Sequence, residues 1–156
     1  MRTVNQWLSE YGESHQNETN KSIHWFCVPA IFFSITGLLY SIKLPLILFS
    51  HHVNVAMVVV LLITIYYLRL SFSLGIGMFL FGILCLFFCH LIELYAPITL
   101  WLFCLIIFAL AWIGQFYGHS VEGKKPSFLK DLQFLLIGPM WLMSFIYKKI
   151  GIRMKM

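Results

Sequence analysis

Apolar positions form long unbroken runs, Ile23 to Tyr40, Val53 to Leu68, Leu74 to Ile92 and Pro97 to Tyr117, and polar positions are swept to their ends. Each run approaches the ~20 residues that carry a helix across a bilayer core, and a shorter run can extend by a turn. The period-two alternation of a barrel strand is absent, and a backbone in lipid must satisfy its own hydrogen bonds. The pattern predicts an all-α integral membrane protein with four transmembrane helices, folded as a single membrane domain over residues 1–156. A polar segment at 1–22 precedes the four spans within 23–117; a polar loop at 118–131 and a membrane-associated C-terminal helix with a basic tail at 132–156 follow. That last helix, from Leu132 to Tyr147, has Gly138-Pro139 at its centre, which predicts a broken, re-entrant or interfacial element in place of a fifth span. A secretory signal peptide is not expected, because the N-terminal segment is polar and the run behind it is long and contains Pro29.

Composition sharpens the class. Hydrophobic residues make up 60% of the chain and charged residues 11%, against roughly 25% charged in a soluble domain. Charge then orients the spans. Arg2, Lys21, Arg69, Lys124, Lys125, Lys130, Lys148, Lys149, Arg153 and Lys155 fall on one side of a four-span chain and Lys43 alone on the other. The positive-inside rule therefore puts both termini in the cytoplasm and keeps the C-terminal helix from crossing. The net charge of +5 reads as an orientation signal and a contact with anionic headgroups; no basic helix or aromatic platform in water supports nucleic-acid binding. The host is expected to be a bacterial inner membrane, with the endoplasmic reticulum membrane as the other option.

This topology sorts the histidines into two rival groups: His15, His24 and His119 on the cytoplasmic side, His51, His52 and His90, with Glu93, on the other. An adjacent pair before one span and a histidine in the last turn of another are ordinary interfacial residues. The first group is harder to explain as solvation alone. Asn20 is a good N-cap for a helix starting at Lys21, which would put His24 in its first turn, four residues on and on the same face. His119 and Glu122 have the three-residue spacing by which carboxylate-histidine bundles project two ligands into one metal site. Two histidines with a carboxylate, leaving positions open, is the set used by non-haem iron(II) oxygenases. Solvated loop residues paired with Lys21, Lys124 or Lys125 are the competing reading for His15 and Glu122.

The remaining signals concern packing. Cys27, Cys85, Cys89 and Cys104 lie in apolar runs without a CxxC pair and read as small packing residues. Gly114 and Gly118 make a GxxxG spacing, which predicts a close helix neighbour beside His119. No phosphate-binding loop, nucleophile elbow or internal repeat is present.

Tyr11-Gly12, His15, Asn20, His24 and Pro29, with Gln115, Gly118-His119, Glu122-Gly123 and Pro126 far downstream, resemble the motifs of the 2-hydroxy fatty acid dioxygenase family, and the resemblance extends over nearly the whole chain. It implies an iron(II)-dependent enzyme of fatty acid alpha-oxidation, in which a 2-hydroxy fatty acid and dioxygen give an acid one carbon shorter. It implies His15, His24 and His119 as the motif histidines, joined by Glu122 as fourth metal and catalytic candidate. Tyr11, Asn20 and Gln115 would then orient the ligands, and Lys124 and Lys125 would attract the substrate carboxylate. After Pro139, where an acidic residue is expected, this chain has Met143-Ser144-Phe145. Expected partners are a long-chain 2-hydroxy fatty acid, dioxygen and membrane lipid; a homo-oligomer is compatible with the chain. The alternative function is a non-catalytic membrane protein, a transporter subunit or lipid-organising partner, against which stands the absence of any charged residue in mid-span.

Overall fold

The computed structural model describes residues 3–13, 15–48, 51–123 and 134–152. Among them are six helices: α1 (Val4–Glu13), α2 (Glu18–Tyr40), α3 (Val55–Leu70), α4 (Phe72–Tyr95), α5 (Leu100–Glu122) and α6 (Ile137–Lys149). The chain is helical, as its runs predict. Three of these helices, α2, α4 and α5, are long and apolar enough to cross a membrane. The four expected spans are thus matched at three places. At 16 residues α3 measures about 24 Å, short of the ~30 Å hydrocarbon core.

The shortfall at α3 has a visible cause. Residues preceding it pair as a two-stranded hairpin, β1 (Lys43–Leu48) with β2 (His51–Asn54), antiparallel, where the sequence pattern predicts a link between runs and no strand. Pairing satisfies the backbone of a segment that reverses direction next to an apolar environment. The register, Ile47 opposite His52 and Lys43 opposite Asn54, slips in between, where Pro45 has no N–H to offer a ladder. Asn54 then caps α3 by accepting from the Met57 amide at 3.0 Å.

Two further boundaries differ from expectation. The helix of the first apolar run starts before Lys21: Asn17 is its N-cap, accepting from the amides of Thr19 and Asn20. Asn20 is therefore already helical, and His24 lies in the second turn. In α6 the Gly138-Pro139 pair sits in the first turn, where a proline forfeits no helical hydrogen bond. It starts the helix and does not break it. At 13 residues, about 20 Å, α6 is too short to span. It buries Ile137, Met140, Trp141 and Leu142 against α1, α2 and α4, and the Tyr147 hydroxyl donates to the Ser73 carbonyl at 2.8 Å.

The tightest packing joins α2 and α5, which run antiparallel. A Cβ at Gly118 would come within 2.5 Å of Asn20 Oδ1, and one at Gly114 within 2.6 Å of Cys27 Sγ. At the opposite end Cys104 fills the space that the missing side chain of Gly37 leaves. The GxxxG spacing thus does what it predicts, and the buried cysteines act as small packing groups. Outward-facing leucines, isoleucines and phenylalanines, such as Leu62, Phe79, Leu80, Leu110 and Ile113, are exposed on α3, α4 and α5, the distribution lipid requires.

Candidate metal centre

The short link between α1 and α2 carries His15, the second turn of α2 carries His24, and the last turn of α5 carries His119. Antiparallel packing of α2 on α5 brings the start of one helix to the end of the other, and the turn at residues 15–17 folds His15 over both. The rings of His15 and His24 are 4.2 Å apart, His24 and His119 5.2 Å, and His15 and His119 5.5 Å. Each ring offers one ligand nitrogen, the three lying within 4.8 Å of one another, and no other group of three or more metal-capable side chains occurs among the described residues. All three are buried, at 3%, 1% and 6% exposure for His15, His24 and His119. Solvation on the protein surface does not account for them.

Their orientation is set by backbone groups. His15 Nδ1 donates to the Tyr11 carbonyl at 2.6 Å and His24 Nδ1 to the Asn20 carbonyl at 2.9 Å. A carbonyl oxygen only accepts, so in each neutral ring the hydrogen is on Nδ1 and the lone pair on Nε2. This is the arrangement by which metal-ligating histidines have their outer nitrogen held. Tyr11 also stacks on His15 at 4.2 Å, and Trp141 of α6 lies against the same two rings at 5.3 and 5.6 Å.

Glu122 stands beside this group and outside the convergent set. One carboxylate oxygen accepts from the Gln16 amide at 2.9 Å; the other accepts from the Asn17 amide at 2.9 Å and from Asn20 Nδ2 at 3.0 Å. Three residues after His119 on α5, it points one turn further out, where it meets the start of α2 instead of the imidazoles. A carboxylate there also faces the positive end of the α2 dipole. Asn20, wholly buried, joins the two halves: its carbonyl orients His24 while its side chain holds Glu122.

Gln115, one turn before His119, lines a cleft of about 30 Å³ at the histidines together with Trp112, Val28, Ile31 and Leu135. Trp112, Val28 and Ile31 carried no chemical signal in the sequence, although Val28 and Ile31 share the helical face of His24. The backbone amides of Gln16 and Asn17 could not have been found from residue types at all. Lys124 and Lys125 lie outside the described residues.

Among the described residues the rival histidines form no comparable centre. His90 Nδ1 hydrogen-bonds the Tyr40 hydroxyl at 3.3 Å, and Glu93 pairs with Lys43 at 2.8 Å. His52 is exposed on the hairpin, far along α2 from the start that carries His24.

No solved structure matches the chain. Over 148 residues it is 29% identical to the 2-hydroxy-palmitic acid dioxygenase MPO1 of Saccharomyces cerevisiae, an alignment covering 92% of this chain and 79% of the yeast protein. A family model described as 2-hydroxy-palmitic acid dioxygenase Mpo1-like matches residues 1–150. With almost its entire length inside that match, the chain belongs to the Mpo1-like family.

Proposed function

We propose that this protein is an iron(II)-dependent dioxygenase that shortens long-chain 2-hydroxy fatty acids by one carbon, a step of fatty acid alpha-oxidation. The observation that carries the reading is the convergence of His15, His24 and His119 within 4.8 Å in a member of a family described by a 2-hydroxy fatty acid activity. The donor set fits the metal: imidazole suits iron, and three protein ligands leave positions for a chelating substrate and a gas. When bound, iron(II) would supply the redox chemistry with dioxygen that side chains lack, and a docking point for the substrate's hydroxyl and carboxylate.

The remaining work falls to the chain. Tyr11 and Asn20 hold the rings of His15 and His24 through their carbonyls. Glu122 is a positioning residue, clamping the segment that bears His15 onto the end of α5. Gln115 is placed in the cleft to hydrogen-bond a polar substrate group. Lys124 and Lys125, five and six positions beyond His119, would draw the carboxylate toward the site. Burial of the histidines beneath Tyr11 and Trp141 keeps bulk water from the reacting carbon. We also propose an integral multi-pass arrangement with both termini cytoplasmic, α3 crossing with the hairpin supplying the remaining depth.

The test is incubation of protein purified in detergent with iron(II), air and 2-hydroxyhexadecanoic acid, with mass spectrometry for the acid one carbon shorter. His15→Ala, His24→Ala and His119→Ala should each lose bound iron, and lose turnover beyond the roughly 10- to 100-fold expected when an outer partner is removed. His52→Ala should change neither. Protein that holds no iron and makes no shortened acid would leave the non-catalytic reading in its place.

A further inference from the structure

Beside the histidine cleft lies a second cavity, about 70 Å³, bounded almost wholly by apolar surface. Phe32, Ile35 and Leu39 of α2 form one wall and Ala56, Val60 and Ile63 of α3 the other. Leu135 lines this cavity and the histidine cleft alike, so the two spaces meet at its side chain. The two spaces follow one face of α2: His24, Val28, Ile31, Ile35 and Leu39 recur at helical spacing, the first three at the cleft and the last two along the apolar cavity. Leu135 is held in place by its neighbour, because the buried Tyr67 hydroxyl donates to the Leu136 carbonyl at 2.5 Å.

We propose that this second cavity is the tail channel of the enzyme: the hydrocarbon chain of the 2-hydroxy acid leaves the histidines past Leu135 and runs between α2 and α3 toward Ala56, which limits chain length. The inference rests on the reading of the histidine site as the place of the acid's head. Continuity with that site is what selects this occupant over a bilayer lipid, which has no reason to start at three buried imidazoles. The axial length agrees, and the 70 Å³ now open between α2 and α3 would widen as the tail enters, since a cavity of about 150 Å³ holds only a benzene. From His24 to Leu39 α2 rises about 22 Å, on the order of the length of an extended sixteen-carbon tail. Dry lining on both walls suits methylene groups and offers no partner to a polar one. Ala56 is fully buried among Tyr40, Cys89, Leu100 and Cys104, so the end of the channel is closed by packed core and not by lipid.

Two measurements test the channel. In the first, wild-type protein is photolysed with a 2-hydroxyhexadecanoic acid carrying a diazirine near its methyl end, and labelled residues are mapped by mass spectrometry. Labels on the inward positions of α3, Ala56, Val60 or Ile63, support the channel; labels confined to lipid-facing Leu61 and Leu62, the pattern of a tail in bulk lipid, overturn it. In the second, Ala56→Phe is compared with wild type on 2-hydroxydecanoic and 2-hydroxyhexadecanoic acids. Filling the closed end should shift the ratio of the two turnovers toward the shorter acid by at least about tenfold, since mismatch of even one methylene in an apolar pocket costs ~10-fold or more. An unchanged ratio with active protein overturns the channel and leaves the dioxygenase reading standing. Inward labels on a protein that produces no shortened acid would do the opposite, retaining the channel and removing the reaction.

Discussion

Glu122 illustrates how a residue recognised by type meets partners in the fold that its type does not reveal. Its spacing from His119 is that of a metal-ligand pair, yet both carboxylate oxygens are engaged by Gln16, Asn17 and Asn20. A glutamine there keeps one acceptor and turns an NH₂ toward amides that can only donate, so the link between α5 and the His15 segment is weakened. Glu122→Gln should cost roughly 10- to 100-fold in turnover with iron largely retained. Metal analysis alongside kinetics decides it: iron lost as completely as in His119→Ala would make Glu122 a direct ligand. The histidines were legible from their type and position, whereas their aim was not, because the carbonyls of Tyr11 and Asn20 that set it belong to the backbone and leave no mark in the residue pattern.

Among the elements, the α2–α5 pair is the one on which the site depends. Gly118 lets Asn20 lie flat between the helices, carbonyl toward His24 and amide toward Glu122. Gly118→Ala would push a methyl group into Asn20 Oδ1, and overpacking of this kind costs typically ~1–3 kcal/mol. We expect a lower thermal midpoint in detergent together with reduced iron retention. Gly123→Ala serves as the comparison. At φ 72 it ends α5 in the left-handed region with nothing near its missing Cβ, so alanine there should cost about 1 kcal/mol and spare the iron. Equal iron loss in both variants would separate the metal centre from the Asn20 contact. The glycine spacing announced a close neighbour; that the neighbour would be Asn20 followed only from pairing α2 with α5.

On the scale of the whole molecule, charge and length lead to one orientation. With ten of the eleven basic residues, all but Lys43, on one side of the proposed four-crossing chain, reporter fusions at Met1 and Met156 should both read cytoplasmic. Opposite readings would mean that α3 does not cross or that α6 does. The short α3 and the hairpin before it make this measurement informative. Sequence hydropathy marks where a chain is apolar, but not where a strand pair ends a helix early.

By itself the sequence determined the apolar runs long enough to span a bilayer, the order of the long helices, and the two groups of histidines from which a metal centre could be drawn. Those properties follow from local chemistry: a long run of apolar side chains must be shielded from water whatever it packs against, and a neutral imidazole carries a metal-ligating lone pair. Only the tertiary structure decided that Asn20 links His24 to Glu122, that Gly138-Pro139 starts a helix, that β1 and β2 pair, and that the cleft shares Leu135 with a dry cavity between α2 and α3. Each of these joins residues distant in the chain or depends on backbone hydrogen bonds. Such contacts are properties of the packed arrangement, where the cost of burying an unsatisfied polar group selects one partner among many that the sequence allows.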